Sequence, residues 1–167
     1  MNIKELDNQY IANTYSRFDA VITHGKGSTL YDENGKEYID FGSGIAVNTF
    51  GASDDVWKKA VIDQLEKIQH TSNLYYTEPS VKLAEFLCRR TGMKKVFFSN
   101  SGAEANECAI KAARKYGTDK NLAKNIIITL ENSFHGRTVT TLSATGQDCF
   151  HKNFTPFTEG FIHVPAN

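Results

Sequence analysis

The stretch Lys95-Val96-Phe97-Phe98-Ser99-Asn100-Ser101-Gly102-Ala103-Glu104-Ala105-Asn106-Glu107 constrains the fold of this chain more than any other. It joins a short apolar run, a polar turn and a helical repeat. Val96, Phe97 and Phe98 are enough for a buried strand. Ser99 to Gly102 are turn formers that satisfy or relax the backbone locally. Ala105, Cys108, Ala109, Ala112, Ala113 and Tyr116 then recur at i, i+3, i+4, i+7, i+8 and i+11, the period of a helix with one apolar face. Small residues on that face let the helix lie close to a sheet, and Gly117 is predicted to end helix 103–116.

A second apolar run, Asn125 to Leu130, predicts a second buried strand. With strand 96–98 and the helix it makes a βαβ unit, with parallel strands and a right-handed crossover. Ligands of such sheets lie beyond the carboxyl ends of the strands. Those ends are Ser99–Gly102 and Glu131–Thr138, so two polar, glycine-bearing loops converge on one edge. Ser101 and Glu104 form an S-x-x-E pattern, which reads as a capping box. The same helix start reads as an anion cradle, with unpaired N–H groups, a partial positive charge and room at Gly102. Both readings stand, because a cap satisfies only some of the donors. In the second loop, Phe134 is either a lid over the core or a flat surface for stacking. His135 is a loop histidine or a base. Arg137 is a surface residue or a bidentate fork for a carboxylate.

The rest of the chain frames these loops. Residues 1–20 read as a polar helix or arm, and residues 28–41 as a hairpin around Asn34-Gly35. Gly42 to Asn48 read as a flexible loop. Ser53 or Asp54 is placed to cap a helix over 55–70, whose stripe is Trp57, Ala60, Val61, Leu65 and Ile68. Trp57 is read as core or interface. Residues 70–79 have no clean period. Pro79 suits the first turn of the next helix, with Thr77 or Glu78 at its cap. Its expected buried stripe is Val81, Ala84, Leu87 and Cys88, and Gly92 ends it as a left-handed cap. Lys111 is expected to pair with Glu107 at i, i+4. The tail predicts a loop and a third short strand around Phe161–Val164.

Composition narrows the class. With 167 residues a single domain with a real core is expected. Lys plus Arg and Asp plus Glu are both 19, so nothing points to nucleic acid or an anionic membrane. No apolar run reaches membrane-spanning length, and the polar N-terminus lacks the apolar core of a signal peptide. Cys88, Cys108 and Cys149 have no metal or redox spacing. Cys88 and Cys108 read as buried thiols of a reduced, cytoplasmic chain. No glycine-rich nucleotide motif is present.

Asn100 to Glu107, with Lys111, Ala113 and Arg114 downstream, resembles the phosphate cradle of the class III pyridoxal-phosphate aminotransferases, most nearly their acetylornithine branch. Phe134-His135-Gly136-Arg137-Thr138 resembles that family's F-H-G-R-T signature. The likeness implies an α/β chain, the N-terminal portion of a fold-type I aminotransferase. Residues 1–50 would be an arm and small-domain hairpin, and residues 51–167 the start of the large cofactor domain. It implies that Ser101, Gly102 and Ala103 hold the phosphate of pyridoxal 5'-phosphate, that Phe134 stacks on its ring, and that Arg137 binds the substrate α-carboxylate. It also implies a homodimer, with residues 70–79 near the interface, Asn73 or Tyr75 touching a ligand, and Gly44 and Ile45 shaping the substrate side. The implied reaction moves the side-chain amino group of N-acetylornithine to 2-oxoglutarate, in arginine biosynthesis. F-H-G-R-T is shared with ornithine and 4-aminobutyrate enzymes, so the donor is not fixed, and succinylornithine stays open too.

The chain departs from the family pattern in two places. The Gly-His-x-x-Pro expected at Gly51 is absent. The family's cofactor-holding lysine, its pyridine-pairing aspartate and a phosphate-binding threonine match nothing before Asn167. No catalytic residue and no metal ligand is therefore assigned, and this polypeptide alone is expected not to transaminate. Two rival readings remain: a non-catalytic phosphate-binding module using only Ser101–Ala103, and half of a split enzyme.

Overall fold

The computed structural model describes residues 2–121 and 125–167. The chain divides into two compact units, Met1–Tyr76 and Thr77–Asn167. In the first, α1 (Ile3–Tyr10) realises the polar arm as a helix. It starts with a complete capping box, Asn2 Oδ1 accepting from Glu5 N and Glu5 Oε2 accepting from Asn2 N, each at 2.9 Å. Strands β1 (Ile22–Lys26), β2 (Thr29–Asp32) and β3 (Glu37–Ile39) form an antiparallel sheet in that order. The expected hairpin is β2–β3. Strand β1 adds a third strand across the turn at Gly27-Ser28, with a register shift between Ile22 and His24. Its sequence, Ile-Thr-His-Gly-Lys, has no apolar alternation, so pairing with β2 rather than pattern makes it a strand.

Asp32 is the knot of that sheet. It is buried, and its Oδ1 accepts from the N–H groups of Asn34 and Lys36 while its Oδ2 accepts from the Tyr38 hydroxyl, all at 2.9 Å. An Asx turn of this kind closes the β2–β3 connection. The Lys36 N–H foremost, opposed by burial and helped by Tyr38 and Asn34, holds the carboxyl below its ordinary value of 3.8.

Residues 42–48, expected as a loop, contain one turn. Ser43–Ala46 form one hydrogen-bonded turn, α2, with a left-handed backbone. Ser43, Gly44, Ile45 and Ala46 have φ of 46°, 60°, 60° and 61°. Left-handed turns cost L-residues about 1–2 kcal/mol each, so the surrounding bonds from Ile45 and Ala46 to the Gly42 carbonyl must hold this one. Asp54 caps α3 (Asp55–Leu65), its Oδ1 accepting from Trp57 N at 2.7 Å. The helix is shorter than the expected 55–70. Past its end, the Gln64 carbonyl accepts from both Lys67 and Ile68, and the Gln64 side-chain amide donates to the Ile68 carbonyl. The compact unit extends past the 50/51 boundary drawn from sequence. Gly27 and Ala52 exchange backbone bonds at 2.9 and 2.8 Å, and Lys26 pairs with Asp55, tying the start of α3 to the sheet.

In the second unit, α4 (Glu78–Thr91) has Pro79 in its first turn and ends at Gly92, φ 75°. Helix α5 (Gly102–Asp119) starts where expected but runs through Gly117. Gly117 is buried inside the helix, where a Cβ would come within 2.1 Å of Asn125 Oδ1. It is a packing glycine and not a cap. Val96–Phe98 form no strand: a strand needs a neighbour, and none of the described residues pairs with them. Phe97 is 66% exposed, not buried. The parallel pair is instead β4 (Ile127–Leu130) with β5 (Phe161–Val164), aligned Ile127 with Phe161 through Leu130 with Val164. The βαβ connection therefore runs through a short helix, α6 (Val139–Ala144), which hydrophobic periodicity does not reveal.

The large core expected from chain length is absent among the described residues. The buried apolar side chains are Ile110, Leu142 and Ala144, joined by Asp32, Thr141, Ser143 and Thr145. No residue of α3 or α4 is buried, and Trp57 and Val81 are 56% and 57% exposed. Cys88 and Cys108 are half-buried and Cys149 is exposed. The apolar stripe of α3 thus faces outward, while that of α4 is exposed at Val81 and half-buried at Ala84, Leu87 and Cys88. If Asp32 ties the sheet, Asp32→Ala lowers the thermal midpoint by roughly 5 °C. Because the folded carboxyl is depressed, its contribution is complete above the ordinary value of 3.8 and lost as pH falls through the folded value. Urea titrations from pH 6 to 2.5 should show a flatter acid limb in the variant, and an identical limb would remove Asp32 from this role.

Candidate functional site

Two chain segments build the site: the turn that starts α5, and residues 131–138 after β4. At the first, Ser101 is the N-cap, its Oγ accepting from Glu104 N at 3.2 Å. Glu104 reaches back one residue further than a capping box requires. Its Oε2 accepts from Asn100 N at 2.8 Å and from Ser101 Oγ at 3.3 Å, and its Oε1 accepts from Asn100 Nδ2 at 3.2 Å. The Asn100 side-chain amide, then its backbone N–H, holds the Glu104 carboxyl below the ordinary carboxylate range. The carboxylate is thus engaged on the Asn100 side. With Glu104 N bonded to Ser101 Oγ and Ala105 N to Ser101 O, the remaining donors of the first turn are Gly102 N and Ala103 N. A Cβ on Gly102 would meet nothing within 4 Å, so the helix start is uncrowded on the Cβ side of Gly102.

The second segment is packed on the first. Gly136 has φ 133° and is buried, and a Cβ there would come within 2.5 Å of Thr141 Oγ1 and 2.8 Å of Ala103 Cβ. Asn106 Nδ2 donates to the His135 carbonyl at 2.7 Å. The Thr138 hydroxyl donates to Glu107, which therefore turns to the loop and not to Lys111 as expected. From the other side, α6 holds the same loop through hydroxyls. Fully buried Thr145 accepts from His135 N at 3.0 Å and donates to the Thr141 carbonyl at 3.0 Å. Thr138 and Thr141 form a reciprocal capping box, with Thr138 N donating to Thr141 Oγ1 at 3.1 Å.

This loop presents Phe134 and Arg137. The Phe134 ring is 50% exposed and meets Phe150 edge-on, with centroids 5.7 Å apart. The Arg137 guanidinium lies 5.4 Å from the Phe134 centroid and 5.5 Å from that of Phe150. Cation–π attraction thus places the Arg137 guanidinium beside the exposed ring. A flat ligand on Phe134 has the ring's other face, or takes the place of Arg137. His135 keeps its Nε2 buried without a partner among the described residues, so its fixed role here is its backbone. The sequence reading named Ser101, Gly102, Ala103, Phe134 and Arg137, and their two loops do meet. It missed Asn106, Glu107, Thr141 and Thr145. The run Thr138-Val-Thr-Thr-Leu-Ser-Ala-Thr145 carried a signal, since hydroxyls at such density in a short helix seek carbonyls one turn back. No His, Cys, Asp and Glu grouping suited to a metal occurs among the described residues.

A helix start with open N–H donors, fused to a loop with an exposed ring and a guanidinium, suits a ligand with an anionic group, a flat body and a carboxylate. The model of the family "Aminotransferase class-III" matches residues 10–167, and the chain belongs to that family. It is 57% identical to the acetylornithine aminotransferase of Haemophilus ducreyi over 166 residues, which is 99% of this chain and 42% of that protein. It is 50% identical to the acetylornithine aminotransferase of Wolinella succinogenes, over 95% of this chain and 41% of that protein. Among solved structures, an ornithine aminotransferase from Toxoplasma gondii with partial occupancy of PLP at its active site matches with a TM-score of 0.90 and 30% identity. It is covered over 98% of this chain and 39% of its own. An omega transaminase from Pseudomonas jessenii in complex with PMP matches with a TM-score of 0.90 and 31% identity, over 99% of this chain and 39% of its own. The chain therefore spans about two-fifths of the length of the relatives it matches and has the fold of that portion of them.

Because Gly136 is confined by Thr141, Ala103 and its own φ, Gly136→Ala should destabilise the chain by about 1–3 kcal/mol in urea unfolding. An unchanged midpoint would mean that the loop is not seated on α5.

Proposed function

We propose that this chain supplies the phosphate-binding and carboxylate-binding part of a pyridoxal-phosphate aminotransferase acting on N-acetylornithine, with 2-oxoglutarate as amino acceptor. The observation that carries the reading is the seating of the Phe134–Thr138 loop on the first turns of α5, through Gly136 against Ala103 and Asn106 on the His135 carbonyl. It joins an anion site and a carboxylate site on one rigid element. The acetylornithine assignment is supported by 57% and 50% identity to enzymes of that name, against 30% to the ornithine enzyme.

In this reading Gly102 N and Ala103 N take the cofactor phosphate, helped by the helix dipole, and Ser101 fixes the turn. Phe134 gives the flat surface for the pyridine ring. Arg137 takes the substrate α-carboxylate as a bidentate fork and sets which bond is presented. Bound pyridoxal phosphate supplies the electron sink that amino transfer requires. In the family the lysine that holds the cofactor covalently and carries the proton lies further along the chain, so in this reading it would come from the rest of the enzyme. The exposed apolar residues of α3 and α4 support completion by further polypeptide, and by a second subunit as a homodimer. The whole would be a cytoplasmic enzyme of arginine biosynthesis. No described helix is long and apolar enough to cross a membrane.

The test is an assay of the aminotransferase that contains this chain with N-acetylornithine, ornithine and 4-aminobutyrate as donors. Glutamate formed fastest from N-acetylornithine is the expected result, and the 167-residue polypeptide alone should form none. Arg137→Ala should lower kcat/KM roughly 30-fold to 1,000-fold, as loss of a charged hydrogen-bonded partner does. An unchanged kcat/KM would remove Arg137 from carboxylate binding.

A further inference from the structure

Two side chains with no part in the proposed chemistry bracket Arg137. Asn106 holds the chain just before it, by donation to the His135 carbonyl at 2.7 Å. Glu107 holds the chain just after it, by accepting from the Thr138 hydroxyl. Both belong to α5, within two turns of the open donors at Gly102 and Ala103. Neither bond is needed for the helix, whose backbone is complete without them, and Glu107 leaves the ordinary surface partner Lys111 one turn away to make its bond. Between the two anchors, Gly136 rests on Ala103. The loop therefore has fixed ends and a fixed middle, all referred to one helix.

We infer that Asn106 and Glu107 are positioning residues: they fix the Arg137 guanidinium relative to the N-terminus of α5, so that an anion on Gly102–Ala103 and a carboxylate on Arg137 are held at one spacing. This rests on the proposed roles of those residues, and deepens them by stating what sets the spacing. The charged bond at Glu107 is the stronger anchor, because hydrogen bonds to ionised groups exceed neutral ones. Thr138 is shared: its hydroxyl serves Glu107 while lying 2.6 Å from Thr141 Oγ1, so the helix anchor and the α6 anchor act on one atom. Asn106 is specific by geometry. Its side-chain amide donates to the carbonyl, and Asn106→Asp, its isostere, has no hydrogen to donate at neutral pH.

The test uses the aminotransferase that contains this chain. Amide hydrogen exchange at His135 and Thr138, whose N–H groups bond to Thr145 and Thr141, reports whether the loop is seated. Glu107→Ala and Asn106→Asp should each speed exchange there roughly tenfold or more, with Ile110 to Ala113 in α5 unchanged. Glu107→Gln keeps an acceptor oxygen and should restore slow exchange. Thr138→Val cuts the same bond from the loop side and also removes the α6 cap, so it should speed exchange at least as much as Glu107→Ala. In the assembled aminotransferase the same variants should raise KM for the carboxylate substrate about tenfold, with kcat changed far less. Wild-type exchange at His135 and Thr138 in both variants would overturn the inference. Failure of the wild-type enzyme to bind pyridoxal phosphate would overturn the functional reading instead, while the exchange result would still decide what seats the loop.

Discussion

The contact between Gly136 and Ala103 sets the rest of the site. A Cβ on Gly136 would overlap that of Ala103 at 2.8 Å, so the loop after β4 rests on the first turn of α5 with no space for a side chain between them. The approach needs a backbone of positive φ, which glycine adopts freely, and a small residue on the helix. Once it is made, the amide of Asn106 reaches the His135 carbonyl and Glu107 reaches Thr138. Two loops distant in sequence become one surface, and Arg137 and Phe134 are presented beside the start of a helix.

What is buried in this chain is mostly what supports that surface. The residues of α6 from Thr141 to Ala144 are buried together, and Thr145 follows them. Their hydroxyls satisfy the backbone of a loop that has no ladder of its own, which is the condition for burying a loop at all. Elsewhere the apolar faces are open. A chain of 167 residues that buried its stripes would hold a core; this one holds three buried apolar side chains among its described residues. Its relatives are more than twice as long, with 42% of the Haemophilus ducreyi protein matched. The open faces are the surfaces on which the rest of such a fold would pack.

Local chemistry was legible in the sequence wherever a residue acts within a few positions of itself. Asp54 and Ser101 cap their helices, Gly92 ends one, and Asn34-Gly35 marks the hairpin. The readings that failed depend on partners far along the chain. Val96–Phe98 have strand composition but nothing to pair with, so the βαβ unit moved to β4 and β5. Gly117 looks like a helix stop, yet Asn125 makes it a packing residue inside α5. Glu107 has a lysine at the ideal helical spacing, yet bonds to a threonine 31 positions away. The five site residues named from sequence lie on the two loops that meet. The residues that make them meet, Ala103, Asn106, Glu107 and Gly136, lie within the same two motifs, but their pairing across about 30 positions is not a local pattern.

The most direct measurement is an amide-resolved NMR titration of the chain with pyridoxal phosphate, against pyridoxal as the control that lacks the phosphate. The amides of Gly102 and Ala103 should shift saturably, with the Phe134 ring signals moving in the same titration, and pyridoxal should leave the two amides in place. Shifts confined to exposed lysines, or Gly102 and Ala103 amides that ignore the phosphate, would contradict the assignment of this helix start and its seated loop as one cofactor site.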